Sequence, residues 1–261
     1  MIVLGPTDLA VAALLLVMDA GVSLVLRLGL HGRLIWSSLR MVGQLVAVGF
    51  ILKFIFALKN PWATLLIVVV MGAIAAREIA ARPARPLTGL RGLSVSLVAV
   101  VLATLVTVGL ALTTAIRPHP WYDPRYAIAL TGIILGSVLN AGSLTLDGIT
   151  SGAAREKNAI EAQLALGATY RQATTPLLRE TLRRALLPIV NQMSAAGVIT
   201  LPGIMTGQII AGMDPMEAVK YQILLMFLLS GASGLAALVV AALALRHLTD
   251  ARSRLRLDRL R

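Results

Sequence analysis

Seven apolar stretches run through the chain, at 7–26, 34–58, 61–80, 92–116, 124–148, 187–212 and 218–246. Each is near or above the roughly 20 residues that a helix needs to cross the hydrocarbon core of a bilayer. Lipid offers no partner to a free backbone amide or carbonyl, so stretches of this kind cross as helices, whose backbone bonds are internal. The rest of the composition agrees: 57% of the 261 residues are apolar, only 14% are charged, and the mean hydropathy is +0.84. The expected fold class is an all-α integral membrane protein, a polytopic bundle of about seven transmembrane helices forming one domain over 1–261. One long polar segment, 149–186, interrupts it.

A net charge of +12 would suggest nucleic acid as a partner of a soluble protein. Here the basic residues lie between apolar spans, which makes them topological signals rather than a nucleic-acid surface. Counted on alternate sides, one side receives Arg27, Arg33, the four arginines from Arg77 to Arg91, the six cations from Arg155 to Arg184 and the six of the tail from Arg246 to Arg261. The other receives Lys59, Arg117, Arg125 and Lys220, a bias of 18 to 4. Positive loops stay in the cytoplasm, so the N-terminus is expected outside, and the C-terminus and 149–186 inside, in a multi-pass bacterial inner-membrane protein. That arrangement requires an odd number of crossings. Trp62, Trp121 and Tyr122 flank spans at the expected outer boundary and Trp36 lies near the inner one. Thr7 and Asp8 lead into the first span without a basic leader, so no cleaved signal peptide is expected. The chain has no cysteine, which removes disulfides, thiolate metal sites and thiol nucleophiles from consideration.

The most informative polar stretch runs from Glu161 through Ala162, Leu164, Gly167, Ala168 and Thr169 to Gln172. Gly167 suits the left-handed backbone that ends a helix, and Thr169 with Gln172 has the spacing of a capping box that starts the next. The spacing predicts a helix-turn-helix on the cytoplasmic face, which on its own fits an ordinary surface loop as well as a docking element. A second distinctive run is Leu201-Pro202-Gly203-Ile204-Met205-Thr206-Gly207-Gln208, continuing through Gly212 and Asp214-Pro215 to Tyr221-Gln222-Ile223. Pro202 and the glycines predict a kinked span, read either as simple close packing or as a pathway-lining interruption.

The E-A-x-x-x-x-G spacing at Glu161 resembles the cytoplasmic loop by which permeases of ATP-binding cassette transporters dock on their ATPase. With the L-P-G-x-M-x-G run downstream, with Arg40 and Gln44, with the stretch from Gly49 to Phe56 and with the Gly167-Ala168-Thr169 turn, the chain resembles the FetB/YbbM family of ABC permeases almost from end to end. The resemblance implies ATPase coupling through Glu161, Ala162, Leu164, Gly167, Ala168, Thr169 and Gln172. It implies a separate ATPase that binds ATP and magnesium, a pair of permease copies, and export of iron or another metal cation. Bacterial members are associated with iron export and oxidative-stress resistance, plant relatives with aluminium tolerance. Asn191 and Ser194 depart from the family, whose members carry Asp and Lys at that spacing.

Polar groups inside spans are costly and call for a partner or a role. Asp19 and Arg40 fall roughly 12 and 9 Å inside the first two spans at 1.5 Å per residue, and are expected to pair, with Gln44 on the same face as Arg40. These three, with Asn140, Asn191, Met205, Gln208 and Asp214, are the candidate residues of a translocation pathway. Met193, Met205 and Met213 offer soft thioether ligands that suit iron poorly. His31, His119 and His247 are scattered without a metal-site spacing. The metal ligands, if the pathway has any, are not assigned.

The four lysines are followed by Phe, Asn, Asn and Tyr, so the chain has no phosphate-binding loop ending in Lys-Ser or Lys-Thr. It holds no cofactor of its own by this reading and is a transport subunit rather than an enzyme. An ion-coupled secondary transporter, with Asp19 and Arg40 in a proton relay, is the alternative; a membrane enzyme ranks third for want of a recognisable catalytic constellation.

Overall fold

A computed structural model describes residues 5–58, 60–118, 123–250 and 252–261. Lys59, His119, Trp121 and Tyr122 lie outside the described residues. Among those described there is no strand, only three isolated bridges, and the chain divides into two compact units, 1–59 and 60–261.

The first unit is a helical hairpin of α1 (Pro6–Val25) and α2 (His31–Leu58). Its turn is closed by Ser23, whose hydroxyl accepts from the Leu30 amide at 3.0 Å, while Arg27 and Gly29 take positive φ values of 54° and 69°. Both helices expose most of their leucine, valine and isoleucine side chains, as helices solvated by lipid do.

The second unit contains α3 (Pro61–Ala81), α4 (Arg91–Leu110, continued by a π-helix Ala111–Ile116), α5 (Pro124–Arg155), α6 (Lys157–Ala165), α7 (Tyr170–Ala195), α8 (Gly203–Ile210) and α9 (Pro215–His247). Asn60, Asp123 and Asp214 start α3, α5 and α9 with side chains that accept from backbone amides, each followed by a proline at the first helical position, where no amide is missed. The core joins α3, α4, α5, α7 and α9 and is built from small residues. Ala76, Ala99, Ala103, Ala232, Ala236 and Ala244 are fully buried beside Ile79, Val95, Ile134, Leu146 and Val240. Small residues let helices approach closely, which matters where lipid supplies no hydrophobic drive between them. An added Cβ on Gly142 would stand 3.1 Å from Ile79 Cδ1.

One end of this unit is defined by contacts distant in sequence. The Ala84 amide donates to Asp147 Oδ1 at 2.8 Å, Tyr170 Oη to the Leu245 carbonyl at 3.1 Å, and the Thr88 amide to the Arg259 carbonyl at 2.8 Å. The end of α3, the start of α4, the end of α5, the start of α7 and the end of α9 therefore meet there. The basic segments 82–91, 155–171 and 246–261 are gathered at this end, as the alternating charge pattern requires.

The expected span 187–212 does not form as one helix. Among the described residues six helices, α1 to α5 and α9, are long and apolar enough to cross a membrane by length and composition. The sixth apolar stretch is divided. α7 ends at Ala195, Gly197 turns with φ of 84°, its amide donates to the Thr200 carbonyl at 2.9 Å, and Pro202 starts α8. Proline removes a donor and glycine takes the left-handed turn without steric cost, so apolarity alone does not keep this stretch helical. Yet α7 and α8 together still run from end to end. Tyr170 meets the end of α9, whereas Ile204 of α8 packs with Leu130, Leu225 and Leu228 towards the other end.

Candidate functional site

The segment at the basic end with the clearest design is the α6 turn. Lys157 to Ala165 form two and a half turns, and Ile160, only 2% exposed, with Leu164 beside it, fastens one face of α6 to the core. Leu164 thus serves as an anchor on the bundle side of the helix, away from its free surface. Beyond Ala165 the backbone ends in a double hydrogen bond, with the Gly167 amide donating to the Leu164 carbonyl at 3.1 Å and the Ala168 amide to the Gln163 carbonyl at 3.0 Å. Gly167 has φ of 90°, the left-handed value this motif requires. Two residues later the capping box closes. The Thr169 amide donates to Gln172 Oε1 at 2.9 Å and the Gln172 amide to Thr169 Oγ1 at 3.3 Å. Two amides at the start of α7, those of Thr169 and Gln172, are satisfied reciprocally, and these local bonds with the Gly167 turn set the angle between α6 and α7.

The free face of this corner carries Glu161, Ala162, Gln163 and Leu166, all exposed. Lys157 pairs loosely with Glu161 at 3.9 Å, a surface contact of little energetic weight. Leu166 is 88% exposed at the tip of the turn. It is the large apolar side chain of this free face, carried at the tip of the turn. Leu166 was not among the residues expected from sequence; its position between the Ala165 end of α6 and Gly167 was the signal.

Behind the corner, Tyr170 is half-buried, and the loss of solvent pushes its phenol up to about 12. Its hydroxyl stays protonated and tied to Leu245. The tail past α9 closes the same end. Arg259 Nη1 donates to the His247 and Thr249 carbonyls at 2.7 and 3.0 Å, capping the C-terminus of α9, and Leu255, Leu257 and Leu260 pack on the core. Asp250 lies near pKa 2, held down first by the Arg254 amide, and Asp258 lies near 2 because Arg256 donates to it.

The candidate pathway residues are dispersed. Asp19 is exposed on α1 and Arg40, expected to pair with it, is exposed on α2. α2 begins at His31, three residues before the apolar run that was counted. The two groups therefore stand about 9 and 14 Å from the hairpin turn at 1.5 Å per residue, at different heights. Arg40 and Gln44 share an exposed face of α2. Asn140 is exposed on α5 and Asn191 on α7, while Asp214 accepts from the Met216 and Glu217 amides at 2.9 and 3.2 Å and acts as the N-cap of α9. Met205 and Gln208 share α8 at helical spacing, half-buried, and Gln208 Oε1 is buried without a partner among the described residues. Among the described residues no group of three His, Asp or Glu side chains converges as a metal site. What the structure brings together is the break at 196–202, flanked by Asn191 and Ser194 before it and by Met205 and Gln208 after it.

The chain is similar to several known membrane proteins. A cyanobacterial UPF0014 membrane protein from Synechocystis is 40% identical over 84% of each chain. The Escherichia coli protein named "Probable iron export permease protein FetB" is 31% identical over 95% of this chain and 93% of its own. Rice STAR2, another UPF0014 membrane protein, is 35% identical over 85% of this chain and 76% of its own. No solved structure matches the chain. The pattern described as "Uncharacterised protein family (UPF0014)" matches residues 6–249, and the chain, a membrane protein of many apolar helices, belongs to that family.

Proposed function

We propose that this chain is the permease subunit of an ATP-driven exporter whose ATPase is a separate polypeptide. One observation carries the reading: a short helix, locked by a glycine turn and a capping box, presents an apolar tip and a free polar face at the end where the basic segments collect. α6 is continuous through one residue with the end of α5 and is fixed by the Gly167–Thr169 corner to the start of α7. A partner pressing on α6 would move α5 and α7 together. α7 leads directly to the break at 196–202, so displacement at the basic end is delivered to the interrupted passage.

In this reading the basic end is cytoplasmic, the N-terminus is outside, and two copies of the chain form the pathway. ATP and magnesium are bound by the partner, and alternating access follows its closure. Iron, or a related metal cation, is the cargo, by analogy with the name of the Escherichia coli relative. Interrupted crossings serve transporters because free backbone groups and small residues can line a cavity there. The test is association: a matching ATPase should co-purify with the chain, and its hydrolysis should change when the chain is bound. Loss of both on shortening Leu166 to Ala, with membrane insertion intact, is the expected result; unchanged association would remove the α6 corner from the mechanism.

A further inference from the structure

At the end of the second unit away from the basic cluster, α3, α4 and α5 enclose an open groove of about 680 Å³, well within the size of small-ligand sites. Trp62 and Leu65 of α3, Val108 and Leu112 of α4 and Ala127 of α5 form its walls, and no ionisable side chain lines it among the described residues. Two of its lining residues break the pattern. Thr104 and Thr131 are 8% and 1% exposed, and neither Oγ1 has a hydrogen-bond partner among the described residues.

Their neighbours behave otherwise. Thr107 Oγ1 donates to the Ala103 carbonyl, Thr113 to Gly109, Thr145 to Ala141 and Thr150 to Leu146, at 2.5 to 2.9 Å. That back-bond is the ordinary way for a threonine to satisfy itself within a helix. Thr64, also in the groove, does the same with the Asn60 carbonyl at 3.2 Å. Among the described residues, only Thr104 and Thr131 of the groove's threonines hold a donor without a partner. The groove also lies where the α4 ladder widens into a π-helix at Ala111, a distortion that concentrates at functional sites.

We propose that the groove binds a neutral, bilayer-dissolved carbonyl compound of the quinone class, whose ring oxygens accept from Thr104 and Thr131. The lack of charge argues against a carboxylate or phosphate, which would be buried unpaired. A hydrocarbon chain would fill the walls but leave both donors unmet. Thr131 is seven residues inside α5 from Pro124, roughly 10 Å below that end at 1.5 Å per residue. The ester groups of a phospholipid lie in the interface, so the acceptor must belong to a molecule that enters the hydrocarbon. The site is independent of the transport reading.

The test uses the full chain in lipid nanodiscs, with Trp36→Phe and Trp121→Phe leaving Trp62 in the groove wall as reporter, and decylubiquinone as the probe. Saturable quenching of Trp62 is expected. Thr104→Val with Thr131→Val keeps the shape and removes both donors, and should weaken half-saturation about tenfold, the loss of two neutral hydrogen bonds. Thr104→Ser with Thr131→Ser keeps the donors and should retain binding, while Val108→Phe, which fills the groove, should abolish it. Quenching that rises linearly without saturation, or that is equal in the valine pair and the parent, would show a groove filled by hydrocarbon alone and overturn the proposal. If the valine pair does not fold, the serine pair and Val108→Phe decide: unchanged quenching in Val108→Phe, or lost quenching in the serine pair, overturns it equally.

Discussion

Thr181 of α7 lies so close to α5 that a Cβ built on Gly148 would stand 2.6 Å from Thr181 Cγ2. One turn further on, a Cβ on Gly152 would run into Leu177 Cδ1 in the same way. The two glycines make a flat strip on α5 against which the first half of α7 is seated, and that seat fixes the lever behind the α6 corner. Gly148→Ala should push α7 away and cost about 1–3 kcal/mol, the usual range for overpacking, whereas Gly152→Ala, which meets only the end of the flexible Leu177 side chain, should cost less. Gly136→Ala, which meets nothing within 4 Å, should be neutral or slightly stabilising because alanine favours helix. Thermal unfolding of the three variants in detergent checks the contrast.

The α6 corner makes a second prediction. An added Cβ at Gly167 meets nothing within 4 Å, so the penalty of Gly167→Val comes chiefly from backbone strain at φ of 90°, about 1–2 kcal/mol. Gly167→Asn, which tolerates that region better, should cost less. Thr169→Ala should remove the capping box and cost about 1 kcal/mol. All three should insert at normal abundance, with the ATPase lost from the valine variant first. Co-purification yields, set against membrane abundance, test the order.

This corner was legible from sequence because its determinants are local. A glycine at the helix end and a Thr-x-x-Gln pair act within six residues, and no distant contact was needed to place them. The apolar spans were legible for the same reason, since lipid imposes one solution on each. What failed needed information that periodicity does not carry. The stretch 187–212 is apolar throughout, yet Gly197 and Pro202 end one helix and begin another, and hydropathy does not register a broken backbone. The depth of Arg40 was estimated from the apolar run, and α2 begins three residues earlier, which moves Arg40 by about 5 Å. The tail read as a run of arginines; the leucines between them, Leu255, Leu257 and Leu260, dock it on the core. Leu166 was passed over because an exposed leucine is unremarkable until its neighbours are seen to be rigid.

The docked tail predicts an acid-sensitive element. Asp250 and Asp258 lie near 2 in the folded tail, below the usual 3.8. A depressed carboxyl contributes stability above its unfolded value, and loses it as pH falls through the folded one. The tail should stay docked down to about pH 4 and loosen between there and pH 2. Asp250→Asn, which weakens the bonds to the Arg252 and Arg254 amides, should loosen it at neutral pH. Hydrogen exchange of the tail amides checks both, with slow exchange at pH 6 in the parent and faster exchange in the variant.

The absence of cysteine makes topology simple to read. Arg155→Cys and Arg117→Cys place single thiols at exposed positions on the basic and opposite ends. An impermeant maleimide applied to intact cells should label Arg117→Cys and leave Arg155→Cys unlabelled until the membrane is opened. The reverse pattern would invert the orientation of the whole bundle.

The central claim is that a separate ATPase drives this chain through the α6 corner, and ATP-dependent metal movement in reconstituted vesicles tests it most directly. Vesicles containing the chain and its ATPase, with ferrous iron on the cytoplasmic side, should move iron only when ATP is hydrolysed. Gly167→Val should abolish that movement while Gly136→Ala preserves it. Iron movement by the chain alone, driven by a proton gradient and indifferent to ATP and to Gly167→Val, would contradict the account and leave an ion-coupled transporter in its place.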